Sequence, residues 1–227
     1  MREATRRIAG LETVVCAPEG TPAGSIILLH GFAMRPADRA PFAHSLGVSA
    51  RFYFPQGLVP VPGRGFAWWS IDEEARAAAL RHGPRDLAEA DPPSRPAARA
   101  AIEAFLTEVT AVEGASPLVL GGFSQGGMLA CDALLQTAVP VDGLVMMSAS
   151  RLAIGDWQAR SSRLRQLPVF VSHGLDDADL AFAAGERLRD WLTHAEADVN
   201  WVPFQGGHQI PMVVWRELRR FIRKWQG

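Results

Sequence analysis

Six short apolar runs, separated by stretches whose apolar residues recur at helical spacing, constrain this chain more than any other feature. The runs cover residues 25–30, 51–55, 118–123, 143–148, 168–173 and 200–204. Several are continuously apolar rather than alternating, as strands covered on both faces must be. Between them, Ile102, Phe105, Leu106, Val109 and Val112 share one face of a predicted helix over 96–112. Leu180, Ala184, Leu188, Trp191 and Leu192 do the same over 179–194, and Val214, Leu218, Phe221, Ile222 and Trp225 near the C-terminus. A further helix begins after Ser124, with Met128, Leu129 and Leu135 toward the sheet. Such alternation predicts an α/β fold: a mostly parallel central sheet with helices on both faces. A weaker strand over 12–16 adds antiparallel at one edge. The 227 residues suit a single domain, 1–227, with one core.

Residues 56–96 depart from this rhythm. They open QGLVPVPGRGFAWWSID and close DPPSRP, and that density of Pro and Gly excludes a central strand or long helix before Glu73. Phe66, Trp68 and Trp69 argue against disorder, so the segment reads as an ordered functional loop. No large lid domain is expected. The net charge of -1 carries no footprint for nucleic acid or an anionic membrane. Cys16 and Cys131 make no disulfide framework and read as structural free thiols. The arginine-rich N-terminus lacks an apolar signal core, and no apolar run approaches the roughly 20 residues that span a membrane. The expected location is cytoplasmic.

The motif that carries chemistry is Gly122-Phe123-Ser124-Gln125-Gly126, a G-x-S-x-G placed between a predicted strand and a predicted helix. A tight strand-to-helix turn forces the serine into a strained backbone. Side chains at Gly122 and Gly126 would strike neighbouring main chain. The turn lifts the hydroxyl above the sheet at a helix N-terminus, where free N–H groups favour developing negative charge. The pattern is the one expected of the nucleophile turn in an α/β-hydrolase fold.

A serine hydroxyl is a poor nucleophile near neutral pH, so a histidine must take its proton and a carboxylate must orient that histidine. In this fold the chain order is Ser, acid, His, which leaves His173, His194 and His208. His208 follows the last predicted strand in Gln205-Gly206-Gly207-His208, at the carboxyl end of the sheet where reactive groups gather. His173 reads as a structural strand-end residue and His194 as a helix C-terminal cap. For the acid, Asp176, Asp177 and Asp179 compete in one loop, Asp179 also fitting the N-cap of the helix that follows. The tetrahedral oxyanion needs backbone donors, each worth about 3–4 kcal/mol. The natural pair is the N–H of Gln125 and that of Phe32, in the His30-Gly31-Phe32-Ala33 loop. His30 itself reads as a structural hydrogen-bonding residue.

Four blocks in order, LLHGFAM, GGFSQGGML, VSHGLDDADLAF and WVPFQGGHQIP, resemble the phospholipase/carboxylesterase family, which includes bacterial carboxylesterases and acyl-protein thioesterases. The resemblance runs from about Ser25 to the C-terminus. It implies Ser124 as nucleophile, His208 as base and, through an H-G-x-x-D pattern on His173, Gly174 and Asp177, Asp177 as the acid. It also carries the oxyanion donors to Phe32 and Gln125. In that family a proline and a branched residue usually follow the acid; here they are Ala178 and Asp179. The GRGFAWWSID stretch resembles a bacterial esterase branch, which implies that 56–96 folds over the active-site mouth.

The expected activity is hydrolysis of short- to medium-chain acyl esters through an acyl-enzyme, with no metal and no cofactor. The substrate would be a small acyl ester, and a homodimer is compatible with the sequence. Phe66, Trp68, Trp69 and Met212 are the pocket candidates, although the tryptophans equally suit a role in packing the loop onto the domain. A thioesterase or lysophospholipase acting on longer acyl chains would use the same triad. A ligand-binding α/β-hydrolase that has lost catalysis is the reading of another class; such proteins usually lack a triad member, and this chain retains all three.

Overall fold

Apolar runs without polar alternation have to be covered on both sides, and the architecture follows from that demand. The computed structural model describes every residue except Arg39, Ala115 and Gly227, and every side chain except also those of Trp225 and Gln226. In chain order the elements are β1 (Arg2–Ile8), β2 (Leu11–Ala17), β3 (Ser25–Leu29), α1 (Ala40–Leu46), β4 (Arg51–Pro55), β5 (Val59–Val61), β6 (Gly65–Ala67), α2 (Glu73–Leu80) and α3 (Arg95–Glu113). There follow β7 (Leu118–Phe123), α4 (Gln125–Gln136), β8 (Gly143–Met147), α5 (Ile154–Gln158), β9 (Pro168–Gly174), α6 (Phe182–His194), β10 (Asp198–Phe204) and α7 (Met212–Gln226). Among the described residues eight strands form one sheet in the order β1-β2-β4-β3-β7-β8-β9-β10. The pairs from β4 through β10 are parallel, and only β1–β2 and β2–β4 are antiparallel.

Two apolar layers sandwich the sheet. On one face α1 and α7 pack through Ala43, Leu46, Val214, Leu218, Phe221 and Ile222. On the other, α3, α4, α5 and α6 contribute Ile102, Phe105, Leu106, Leu129, Trp157, Leu188 and Leu192. Each large side chain so removed from water stabilises the fold by about 1.5–3 kcal/mol. Val112 does not join this face: it is 76% exposed in the last turn of α3. The expected place of Trp225 on α7 lies outside the described side chains.

Two boundaries, the sheet edge and the start of α6, correct the sequence reading. The weak strand over 12–16 is not the edge; β1 lies outside it, with all its residues but Ile8 exposed. A two-residue turn at Ala9 and Gly10, φ 46 and 81, closes that hairpin with the positive φ values that match strand twist. Segment 56–96 holds the short antiparallel pair β5–β6 and then α2. Helix α6 begins at Phe182 rather than 179, so Leu180 precedes it. Asp179 caps nothing there, since Ala181 is the N-cap residue.

From β3 the chain first goes to β4 on one side and later returns to β7 on the other. The carboxyl ends of β3 and β7 therefore flank a crevice where connections diverge, the usual binding position in open α/β sheets.

Candidate active site

Ser124 stands at that crevice, between β7 and α4, with φ 52 and ψ -118. The turn is this tight because main chain crowds both neighbouring glycines. A Cβ on Gly122 would lie 2.5 Å from the Gly126 carbonyl carbon, and one on Gly126 would lie 2.3 Å from the Leu29 carbonyl oxygen. Such contacts are forbidden to any side chain, so glycine is obligatory at both positions.

His208, in the loop between β10 and α7, reaches Ser124 from the far side of the sheet's carboxyl end. The Ser124 hydroxyl donates to His208 Nε2 at 2.9 Å, and His208 Nδ1 donates to Asp177 Oδ2 at 2.7 Å. Asp177 follows β9 and is buried. Its other oxygen, Oδ1, accepts the backbone N–H groups of Asp179 and Leu180, each at 2.9 Å. Burial alone would push this carboxyl up. The hydrogen bond and charge of His208, with those two N–H donors, outweigh it and hold the group below the ordinary carboxylate value. Asp176, by contrast, is exposed and accepts from Gln205 Nε2. Burial thus separates two adjacent aspartates that spacing left equivalent.

The other two histidines after Ser124 stay apart from the serine. His173 is fully buried, its Nε2 donating to the Leu180 carbonyl at 3.0 Å and lying 3.4 Å from Asp177 Oδ2. His194 ends α6, with Nδ1 donating to the Asp190 carbonyl at 2.7 Å.

A cavity of about 500 Å³ opens over Ser124 and His208, within the range of small-molecule sites. Phe32 and Gln125 both line it, beside the serine. Its apolar wall comes from Trp69, Ile71, Leu87, Met128, Leu152 and Leu180, with Pro92 and Pro93 from the end of the 56–96 segment.

Of the four pocket candidates only Trp69 is on this wall. Trp68 points the other way and is fully buried. Its Nε1 donates to the His30 carbonyl at 2.9 Å, and its ring stacks on His30 at 5.2 Å. His30 in turn accepts the Gly57 N–H at Nε2, so the pair fastens the loop to the end of β3. Phe66 is part of β6 and bridges to Met34. Met212 is 73% exposed at the first position of α7, where its side chain faces solvent. Gln125 secures the same loop: its Oε1 accepts the Trp68 N–H and its Nε2 donates to the Trp69 carbonyl, both at 2.9 Å.

A charged wall that sequence reasoning missed completes the cavity. Asp179 lies there with Arg76, from α2, and Arg85. Arg76 Nη2 donates to Asp179 Oδ2 at 2.8 Å and Nε to Oδ1 at 3.3 Å, while Arg85 Nη2 also donates to Oδ1. Burial would raise the Asp179 carboxyl, but the two guanidiniums hold it below the ordinary value. The sole sequence signal was the unusual Ala178-Asp179 pair after the acid.

The fold, with a serine at the tight turn from β7 into α4, is that of an α/β-hydrolase. The sequence model of the phospholipase/carboxylesterase family matches residues 11–226. The chain belongs to that family, whose members are serine hydrolases of carboxylic ester bonds. Acyl-protein thioesterase 1 of Gibberella zeae is 31% identical over 111 residues, 47% of each protein, so the chain spans about half the length of this curated relative. Solved structures of similar fold include esterase PE8 (TM-score 0.79, 23% identity, 94% of this chain and 98% of that one). Acyl-protein thioesterase 2 of Zea mays has a TM-score of 0.77 at 20% identity, covering 95% of this chain and 99% of that one. A carboxylesterase from Mesorhizobium loti has 0.76 at 16% identity, covering 97% and 98%.

Proposed function

We propose that the chain is a serine carboxylesterase that hydrolyses short- to medium-chain acyl esters through an acyl-enzyme. The observation that carries this reading is the two-sided hydrogen bonding of His208, 2.9 Å to Ser124 and 2.7 Å to Asp177. His208 Nε2 accepts the serine proton as Oγ attacks the ester carbonyl. Asp177 fixes the imidazole with its proton on Nδ1 and stabilises the imidazolium that forms. The backbone N–H groups of Phe32 and Gln125 receive the oxyanion, each donor worth roughly 3–4 kcal/mol of barrier. Nε2 then returns its proton to the departing alkoxide. Water, activated by the same nitrogen, attacks the acyl-enzyme carbonyl and frees the acid and Ser124.

The medium-chain preference rests on a cavity of about 500 Å³ whose apolar wall adjoins the serine. A long-acyl thioesterase with the same triad is the second reading, favoured by the name of the relative from Gibberella zeae. Hydrolysis of p-nitrophenyl esters from acetate to palmitate, by wild type and Ser124→Ala side by side, tests both. The esterase reading expects turnover that falls steeply beyond roughly eight acyl carbons, with loss of at least about 10³-fold in kcat for the variant. A profile flat or rising to palmitate, with turnover of a palmitoyl thioester, selects the second reading. Equal activity in both proteins removes Ser124 from the mechanism.

A further inference from the structure

The Arg76–Asp179–Arg85 cluster adjoins the reacting atoms, and its position assigns it to one half of the substrate. On the serine-hydrolase reading, the departing alkoxide must come within about 3 Å of His208 Nε2 to receive its proton. Asp179 Oδ2 lies 4.0 Å from that same nitrogen and faces the same cavity. Whatever carbon skeleton is attached to the leaving oxygen therefore rests against Asp179. The acyl chain has its own apolar wall in Trp69, Ile71, Leu87, Met128 and Leu152.

We propose that Asp179 and Arg76 are specificity-determining residues that recognise the alcohol half of the substrate and select esters of polyhydroxy alcohols over esters of simple alkanols. The proposal rests on the serine-esterase reading and adds to it the class of alcohol.

Three observations carry it. First, the hydrogen-bonding capacity is incompletely used. A carboxylate offers about four acceptor sites. Arg76 Nε and Arg85 Nη2 occupy Oδ1, and Arg76 Nη2 occupies one site on Oδ2. Oδ2, the oxygen nearest His208, keeps a site. Arg76 commits two of its five N–H groups to Asp179, and the residue lines the cavity. An acceptor and donors thus stand side by side, the pattern that a hydroxyl, itself donor and acceptor, satisfies, and that neighbouring hydroxyls satisfy twice.

Second, charge on the wall gives an anion no advantage. Asp72, Asp91 and Asp179 line the cavity with Arg76 and Arg85, which both bond Asp179, and Asp91 is paired with Arg95. A neutral polyol meets no opposing field, whereas an anionic group gains no net positive potential.

Third, the cluster is preorganised. The Arg85 N–H donates to the Asp179 carbonyl and the Ala181 N–H to the Arg85 carbonyl, both at 2.9 Å, while Asp179 N–H is held by Asp177. An ethyl group placed here strips water from polar groups without replacing its hydrogen bonds. Sites built to bond a substrate hydroxyl discriminate strongly against analogues that lack it.

The test compares kcat/KM for monooctanoylglycerol and ethyl octanoate, measured by titration of released acid, in wild type, Asp179→Asn and Arg76→Met. Wild type is expected to favour the glycerol ester by at least about tenfold, and each variant by less than about threefold. The ratio within each protein cancels any general loss of folding or activity. Arg76 sits on a helix with no buried residue, so its variant remains readable if the other fails to fold. A wild-type ratio near one, an undiminished ratio in both variants, or preference for the octanoyl ester of glycerol phosphate over the neutral glycerol ester each overturns the proposal. Inertness toward the glycerol ester with activity on p-nitrophenyl octanoate overturns it alone, whereas turnover by Ser124→Ala would overturn the serine reading beneath it.

Discussion

Ser124 is held at φ 52 and ψ -118, a backbone conformation that costs a side-chain-bearing residue about 1–3 kcal/mol and glycine little. The strain exists because β7 must turn into α4 without room for side chains at Gly122 and Gly126. Ser124→Gly should therefore be more stable than Ser124→Ala by about 1 kcal/mol, after glycine's extra unfolded-state freedom is subtracted. For a chain of this size that is a rise of roughly 2–4 °C in Tm, readable by calorimetry on the two variants. Equal melting temperatures would mean that the turn relaxes in the alanine variant. The serine and His208 were legible because glycines fix their backbone needs in the sequence itself. Asp179 was not. Its partners Arg76 and Arg85 lie 103 and 94 residues away, and no local pattern forecasts that they would take the carboxylate from a helix cap. Met212 misled for the complementary reason: proximity in sequence to His208 says nothing of which way the first residue of α7 faces.

At the scale of elements, strands were read closely, since fully buried strands must be apolar throughout: predicted runs at 51–55 and 118–123 coincide with β4 and β7. Strand β1, REATRRI, escaped because an exposed edge strand needs no apolar face, and its arginines discourage pairing with another sheet. A polar junction between elements was equally hidden. Arg95, almost wholly buried at the start of α3, bonds Asp91 at 2.8 Å, Asp132 of α4 at 2.7 Å and Asp156 of α5 at 2.7 Å. Asp132 also accepts from Trp157 Nε1 at 2.9 Å and has no exposure. Arg95→Met should leave Asp132 short of its main partner in the interior, a loss of about 3–5 kcal/mol and so roughly 6–20 °C in Tm. Because Asp91 lines the cavity and α4 follows the serine, ester turnover should fall in the same variant at temperatures well below its melting point. A variant as stable as wild type would show that Arg99, whose Nη1 lies 3.5 Å from Asp132, suffices alone.

Across the whole molecule, buried ionisable groups set how stability responds to acid. Burial, first among its causes, pushes the His173 imidazole below its ordinary value despite the Leu180 carbonyl and the charge of Asp177. The unfolded chain binds a proton there near pH 6.5 and the native protein only lower, so stability is full above about 6.5 and declines as pH falls through that value. Asp177 and Asp179 both lie below the ordinary carboxylate value when folded. Their contribution is present above about pH 4 and is lost on further acidification, once the unfolded chain takes up protons that the native state refuses. Melting curves between pH 8 and pH 3 should therefore show two declines, and His173→Gln should flatten the upper one. A wild-type Tm equal at pH 8 and pH 5 would contradict the assignment. None of this was legible in the sequence, where His173 was correctly set apart from the serine but its burial was invisible.

Gln125 joins two tasks in one residue. Its main chain begins the helix behind Ser124, while its side-chain amide grips the main chain of Trp68 and Trp69 and so fixes one wall of the cavity over the serine. On the proposed reading, the helix start beside the serine and the shape of the cavity wall therefore share one residue. A replacement that lost the two amide hydrogen bonds would disturb the wall and the neighbour of the serine together. Divergence in substrate has to come from elsewhere on the rim, through Ile71, Leu87 or Leu152, whose changes leave the turn at Ser124 intact.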